Sequence, residues 1–538
     1  MSNPRFGGTT GLCSVFCLLT VSFCFSQDVP PVVKSNQKAK PRVVRKVTIS
    51  KETTWATEPV GPQGFVDYRA VLNRHYGQGV TPANNAVVLL YQAFGPTPNH
   101  ISQPPEFFRL LGVQSPLPDG RYFEEFQEWH QRTGKQLPEG GFRAVEHQVE
   151  LTRLRPWTEQ AFPDVAEWLQ SLEEPLKRVT EATQRTEYFS PVAFEHENVG
   201  LLAVQLPVAQ ASRSVTRALI SRAMFSVGSN DEVAAWKDLL TIHRLGRLVG
   251  RGPTEIEGLI GNAIEVSAIE AELRVISETH PTAQFVARYL KQLADLPPKS
   301  QFVDKLDFFV RVLYLDCCQQ LLRDHMLLSE LTGSDENQWA LKIVHRMMIQ
   351  SVDWDEVLKT GNRWFDRMVK AAGASTYREK MAASNEVEAD LLVVHQQAII
   401  QVKGLAILAL VEDKDKRNEY ASNALIATLR PAFIPYLKVE NRSHQRLRNL
   451  ELALALAAWR DEHQAYPEKL EELAPKYIKA VPNDLFTDQP LHYTRTDDGY
   501  RMYSVAENQI DDLGLTYAEG MEKDDLTVEM PMPLPPSR

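Results

Sequence analysis

The sequence predicts a mainly α fold: a helical bundle or α-solenoid-like body of tetratricopeptide-like hairpins, closed at its far end by a small α+β hairpin module. Three observations predict it. Apolar residues recur at helical spacing through most of the chain after Phe65. Short oxygen side chains followed three residues later by an acid mark helix starts, at Asp164 with Glu167, Ser229 with Glu232, Thr254 with Glu257 and Asn385 with Glu388. Strand-like alternation is confined to the C-terminal region, in LHYTRT and YRMYSV, on either side of Asp497-Asp498-Gly499.

The opening residues predict export. MSNPRFGGTTG carries Arg5 and no acid, LCSVFCLLTVSFCF is a short apolar run, and Cys24-Phe25-Ser26 places small residues where a signal peptidase reads. Residues 1–26 are therefore expected to be a secretory signal peptide cut after Ser26, and the protein to be periplasmic or extracellular. Left uncleaved, the same run would tether it to a membrane. No later segment is apolar for long enough to span one. Of five cysteines, Cys13, Cys17 and Cys24 lie in the signal, and Cys317 and Cys318 are adjacent. Adjacent cysteines strain any bridge between them, so no disulfide framework is expected and the core must hold the fold.

Residues 27–60 read as a basic, disordered linker. Lys34, Lys38, Lys40, Arg42, Arg45, Lys46 and Lys51 occur between 34 and 51 without an acid. The stretch is either a solvated tether or an electrostatic contact for anionic envelope polymers. The formal net charge of −10 argues against nucleic acid as a partner.

Residues 61–160 read as a loop-rich helical region. VDYRAVLNRHYGQGV and NNAVVLLYQAFGP are amphipathic, and a proline-rich stretch from Pro96 to Gly141 includes the helical RYFEEFQEWHQRTG. Residues 161–440 form the helical body. Two helices between Ser212 and Val249 face each other across Gly228-Ser229-Asn230-Asp231 through Ala218, Ala223 and Phe225 on one side and Ala235, Leu239, Leu240 and Leu245 on the other. Longer helices follow over Glu255–Ser277, Phe302–Leu331 and Asn385–Glu412, with Gly258 and Gly261 allowing close helix contact. Trp339, Trp354 and Trp364 are read as packing residues.

Chemistry is hard to find. There is no pair of histidines one helical turn apart with an intervening acid, no Gly-x-Ser-x-Gly elbow and no phosphate-binding glycine loop. His243, His325, His345 and His395 are single histidines on helices. Asp353 and Asp355, and Glu386, Glu388 and Asp390, read as acids in first helical turns, where the helix dipole favours them. Cys317 lacks a basic partner. No catalytic residue and no organic cofactor is identified.

Residues 441–520 are the specific module, and 521–538 an acidic, proline-rich flexible tail. Leu447, Leu450, Leu454, Ala457 and Ala458 give a helix one apolar face, ending near His463 before Pro467. PEKLEEL then predicts a short helix, and the alternating runs a hairpin. This order resembles the C-terminal half of type II secretion major pseudopilins and a tail common in secreted, largely uncharacterised planctomycete proteins. It does so through Tyr466-Pro467, Leu470, Leu473, Tyr477, Pro482, Asp484, Phe486, Pro490-Leu491, Tyr493, Gly499-Tyr500, Tyr503-Ser504 and Asp511-Asp512. NNAVVLLYQAFGP and the segment from Arg217 to Gly261 extend the planctomycete resemblance into the body. In the pseudopilins the closing loop binds calcium, so the resemblance implies calcium at Glu507, Asn508, Asp511 and Asp512. Ala506, Gln509 and Leu513 depart from it, standing where glycines are usual, and Leu485 stands where a proline is usual; otherwise the loop is a solvated acidic one. The expected function is that of an exported, non-catalytic protein-binding or scaffold protein of the cell envelope. The alternatives are a secretion- or pilus-assembly-associated component and an envelope hydrolase with an acid-based site.

Overall fold

The computed structural model describes residues 46–196, 199–323, 350–402 and 413–533. The signal-peptide expectation, most of the basic segment, His325, His345 and Trp339 lie outside these residues. The helices are α1 (Tyr68–Tyr76), α2 (Ala86–Phe94), α3 (Pro105–Leu111), α4 (Phe126–Thr133), α5 (Gly141–Leu154), α6 (Pro163–Ser171), α7 (Glu173–Ala182), α8 (Pro207–Gly228), α9 (Glu232–Gly250), α10 (Glu255–Thr279) and α11 (Ala283–Ala294). Then α12 (Phe302–Lys305) passes through a π turn at Leu306–Val310 into α13 (Arg311–Leu322), followed by α14 (Trp354–Ala372), α15 (Tyr377–Val402), α16 (Lys414–Leu429) and α17 (Phe433–His463). Strands β1 (His492–Arg495), β2 (Tyr500–Ser504) and β3 (Leu526–Met530) form one antiparallel sheet in that order. The expected mainly helical fold with a small C-terminal α+β module is what the chain adopts. No helix among the described residues is long and apolar enough to cross a membrane.

Helix α17 organises the whole. At 31 residues it is about 46 Å long, and it joins two apolar cores. Its first turns place Phe433, Tyr436 and Leu437 in a core with α12–α16. Its last turns place Leu450 to Ala458 in a core with α2–α11 and the sheet. Residues 452–458 are buried without a break, so this stretch is enclosed on all sides and does not present the single apolar face expected. Between the cores runs a buried polar belt. The Glu440 carboxylate accepts from Phe302 N (2.8 Å), Gln445 Oε1 accepts from Leu485 N (2.8 Å), and Asn449 Nδ2 donates to Leu526 O (2.9 Å). The last two bonds pin the chain after α17, including β3, to that helix.

Local signals held in part. Thr254 and Glu257 form the expected reciprocal cap. Asp231, not Ser229, caps α9 by accepting from Ala234 N at 3.1 Å. Asp164 caps nothing; it and Glu167 each accept from Lys135 Nζ at 2.6 Å. Asn385 and its acids lie inside α15, which starts instead at Thr376 with Glu379. Glu388 there pairs with Arg430, and Asp390 with Arg367. Asp353 and Asp355 do sit at a helix start; they accept from Lys414 Nζ (3.0 Å) and Thr48 N (2.9 Å). Trp354 is buried in the second core, and Arg367 lies over the Trp364 ring.

Two boundaries move. The expected linker does not reach residue 60: Val47, Thr53 and Thr54 are buried, and Asn362 Nδ2 donates to the carbonyls of Glu52 and Thr53 at 2.9 Å. The expected flexible tail contains β3, whose Leu526, Val528 and Met530 turn inward on alternate residues. Beyond it Arg274 holds the carbonyls of Met532 and Pro533. PEKLEEL yields only a short 3-10 turn at Leu470–Leu473. Gly499 in the β1–β2 turn is needed for closeness: a Cβ there would meet Met530 O at 1.7 Å.

Candidate metal centre

The loop from β2 to β3 carries the acids. The Gln445 amide fixes its approach at Leu485, and Asp484 accepts from Phe486 N and Val505 N (2.8 and 3.0 Å). After Ser504 the chain turns sharply. Ala506, Gln509 and Leu513 have φ of 47°, 55° and 60°, so three positions without glycine still adopt the left-handed conformation. This costs an L-residue roughly 1–2 kcal/mol each. Leu513 is 69% exposed and has little packing to lose. Leu513→Gly is therefore expected to stabilise the protein by about 1 kcal/mol, seen as a higher denaturant midpoint at unchanged slope. An unchanged midpoint would show that the turn carries no such strain.

The four residues implied by the resemblance take different partners. Glu507 pairs with Arg442. Asp511 accepts from Tyr503 Oη (3.0 Å) and Leu513 N (2.9 Å), and it is exposed. Asn508 Nδ2 donates to Asp512 Oδ2 at 3.0 Å. Asp512 joins a cluster with Asp524 and Asp525, in which one oxygen from each lies within 4.8 Å of the others. These three are 6%, 3% and 1% exposed.

Bonds reach both oxygens of Asp512 but only one oxygen each of Asp524 and Asp525. Lys523 Nζ donates to Asp512 Oδ1 (2.8 Å), Asn508 N to Asp524 Oδ2 (3.3 Å) and Gly514 N to Asp525 Oδ2 (2.8 Å). The Oδ1 atoms of Asp524 and Asp525 are buried with no partner. A buried carboxylate oxygen without a partner is costly. Burial pushes the Asp525 carboxyl up to about 6, with Asp512, Asp511 and Asp524 adding repulsion. Burial likewise pushes Glu507 up to about 7 against the pull of Arg442. The Lys523 hydrogen bond holds Asp512 below its ordinary value. Glu507, Asp512, Asp524 and Asp525 thus share Arg442 and Lys523 as nearby cations. All donors are oxygens, which suits a hard cation such as calcium or magnesium and not zinc or copper.

The acids of the body are spent differently. His243, fully buried, has Nε2 at 2.9 Å from Glu272 Oε2 and Nδ1 at 3.8 Å from Glu265 Oε1. Arg247 and Lys299 close on Glu265, and Tyr289 donates to Glu272. Cys317 and Cys318 are buried and free, and burial pushes both thiols up, Cys318 to about 12. Sequence reasoning passed over Asp524 and Asp525, assigned to a tail. The available signal was the inward alternation that follows them. In comparisons with known proteins, no family model, no curated protein and no solved structure matches the chain.

Proposed function

We propose that this is an exported envelope protein that acts without catalysis, with a helical body that scaffolds protein partners and a C-terminal module braced by calcium. The clustering of Asp512 with two buried aspartates, each of which carries an unpartnered oxygen, carries the reading. In that reading Asp512, Asp524 and Asp525 hold the cation, which satisfies Asp524 Oδ1 and Asp525 Oδ1 and cancels their repulsion. Ile510, Leu513, Tyr517 and Met521 stand exposed on the same loop. Exposed apolar side chains beside a rigid acidic turn favour a partner-facing surface. The basic, then apolar start of the sequence favours export.

Calcium is expected to bind in the range of extracellular modules, about 10⁻⁴–10⁻³ M. At ten times the dissociation constant it would stabilise the fold by about 1.4 kcal/mol. Thermal melts with calcium and with chelator measure this, and Asp524→Asn with Asp525→Asn should abolish the calcium-dependent shift while raising the melting point in chelator. Identical melts with and without millimolar calcium would remove the brace from the reading. Crosslinking in native envelopes tests the scaffold: recovery of secretion or pilus components would favour an assembly role, and recovery of no protein would count against both.

A further inference from the structure

We propose that the cleft between residues 61–69 and α13 binds a small zwitterion, of free amino-acid or dipeptide size. The cleft is half-open, with a volume of about 240 Å³. That lies below the roughly 300 Å³ at which pockets for drug-sized ligands begin, so its occupant is small. It brings together Asp67 and Arg69 from one stretch of chain and Asp316, Gln320 and Arg323 from another.

The floor of the cleft lacks a donor. Gln320 is 3% exposed, and its Oε1 is buried with no hydrogen-bond partner. Its Nε2 faces Asp316 Oδ1 at 3.4 Å. Turning the amide over would set its oxygen against that carboxylate, so the orphan is the carbonyl whichever bond is weighed first. Leaving such an oxygen unpaired is costly. Asp316 is itself 8% exposed and accepts from Leu201 N at 2.8 Å. Glycine at 200 lets that backbone come so near, since a Cβ there would meet Asp316 Oδ2 at 3.0 Å. An N–H donor carrying positive charge satisfies both the Gln320 carbonyl and Asp316.

Two cations also line the cleft. Arg69 is held only loosely, with Nε 3.7 Å from Asp67 Oδ1. Arg323 is fixed by Gln63, to which its Nε donates at 2.9 Å, and lies over the Phe65 ring. Two arginines and two aspartates make the cleft formally neutral but polar. A simple anion would meet Asp316, and a simple cation would meet the arginines; a molecule with both charges meets neither conflict. Burial pushes the Asp316 carboxyl up to about 6, opposed by Leu201 N–H, Gln320 and the two arginines, so it is ionised at neutral pH and loses its charge under mild acid.

Titration calorimetry on the full chain tests the proposal with four probes. L-alanine and alanyl-alanine carry both charges, N-acetyl-L-alanine lacks the ammonium and L-alaninamide lacks the carboxylate. Alanine or alanyl-alanine is expected to bind, with each capped probe at least tenfold weaker. Asp316→Asn should weaken the zwitterion at least tenfold while leaving N-acetyl-L-alanine unchanged or tighter. Arg69→Gln, at a partly exposed position, should weaken the zwitterion and leave L-alaninamide unchanged. No heat with either zwitterion at tens of millimolar, or equal binding of capped and uncapped probes, would overturn the assignment. Neither outcome depends on calcium, so the result is separable from the fate of the C-terminal brace.

Discussion

Glu272→Gln is expected to destabilise the protein by about 3–5 kcal/mol, the usual cost of removing one partner from a buried ion pair. Glu272 is wholly buried and holds His243 Nε2 at 2.9 Å and the Tyr289 hydroxyl. Gln keeps the shape and one acceptor, so the loss is of charge and not of volume. It leaves an imidazolium in the core with only Glu265, already shared with Arg247 and Lys299, to offset it. Urea denaturation at constant slope reads the cost.

The same cluster sets a pH dependence. Burial alone would push His243 down; Glu272 and Glu265 outweigh it and hold the pKa up at about 9, against 6.5 for an ordinary imidazole. The folded protein therefore binds this proton more tightly than the unfolded chain. Stability from it is complete below pH about 6.5 and is lost as pH rises through about 9, by an amount on the order of 3 kcal/mol. Glu265 runs the other way. Burial would raise it, but Lys299, His243 and Arg247 pull it well below 4.5. Its contribution is present above pH 4.5 and falls away in acid. The cluster is worth most between pH 4.5 and 6.5. In Glu272→Gln the fall in stability between pH 6.5 and 9 should shrink; an unchanged fall would show that His243 is not the group responsible.

These residues mark where the sequence stops being readable. His243 and Arg247 are one turn apart on α9, and Glu265 and Glu272 two turns apart on α10, so each pair shares a helix face. Helical periodicity makes that visible. That the two faces meet is set by the crossing, which no local pattern encodes, and a lone histidine in an apolar helix gives no sign of two buried glutamates. Element type was readable for the same reason that partners were not: the Thr254–Glu257 cap and the β1–β2 turn are local, whereas the Gln445 and Asn449 contacts span tens of residues. In the metal centre Asp512 was legible, and Asp524 and Asp525 were not. They lie ahead of a strand whose five residues are flanked by acids and prolines, and composition outweighed a short alternation. Ala506, Gln509 and Leu513 stand where glycines are usual in the resembling loops, yet the chain makes the turns there and bears the strain.

The α9–α10 crossing that seals the charge cluster yields a prediction with two signs. Gly246, Gly250 and Gly261 let the two backbones touch. A Cβ on Gly261 would lie 2.6 Å from Gly246 O and 2.7 Å from the Gly250 Cα and N. Those atoms belong to helical backbone and cannot step aside as a side chain would. Gly261→Ala must therefore separate the helices and loosen the grip of α10 on His243 and Arg247, at a cost of about 3 kcal/mol, the upper end for overpacking. Gly250 faces the same crossing from the other side, yet a Cβ there meets only the Gly261 Cα at 3.9 Å, an ordinary contact. Gly250→Ala gains helix propensity without a clash and is expected to be neutral or to stabilise by up to about 1 kcal/mol. Denaturant midpoints of the two variants decide the matter. Because separation of the helices would also lengthen the His243–Glu272 contact, Gly261→Ala should flatten the pH dependence between 6.5 and 9, and Gly250→Ala should leave it intact. Equal tolerance of both alanines would mean that the helices are held apart by their side chains and that the buried charges, not the glycines, fix the distance between them.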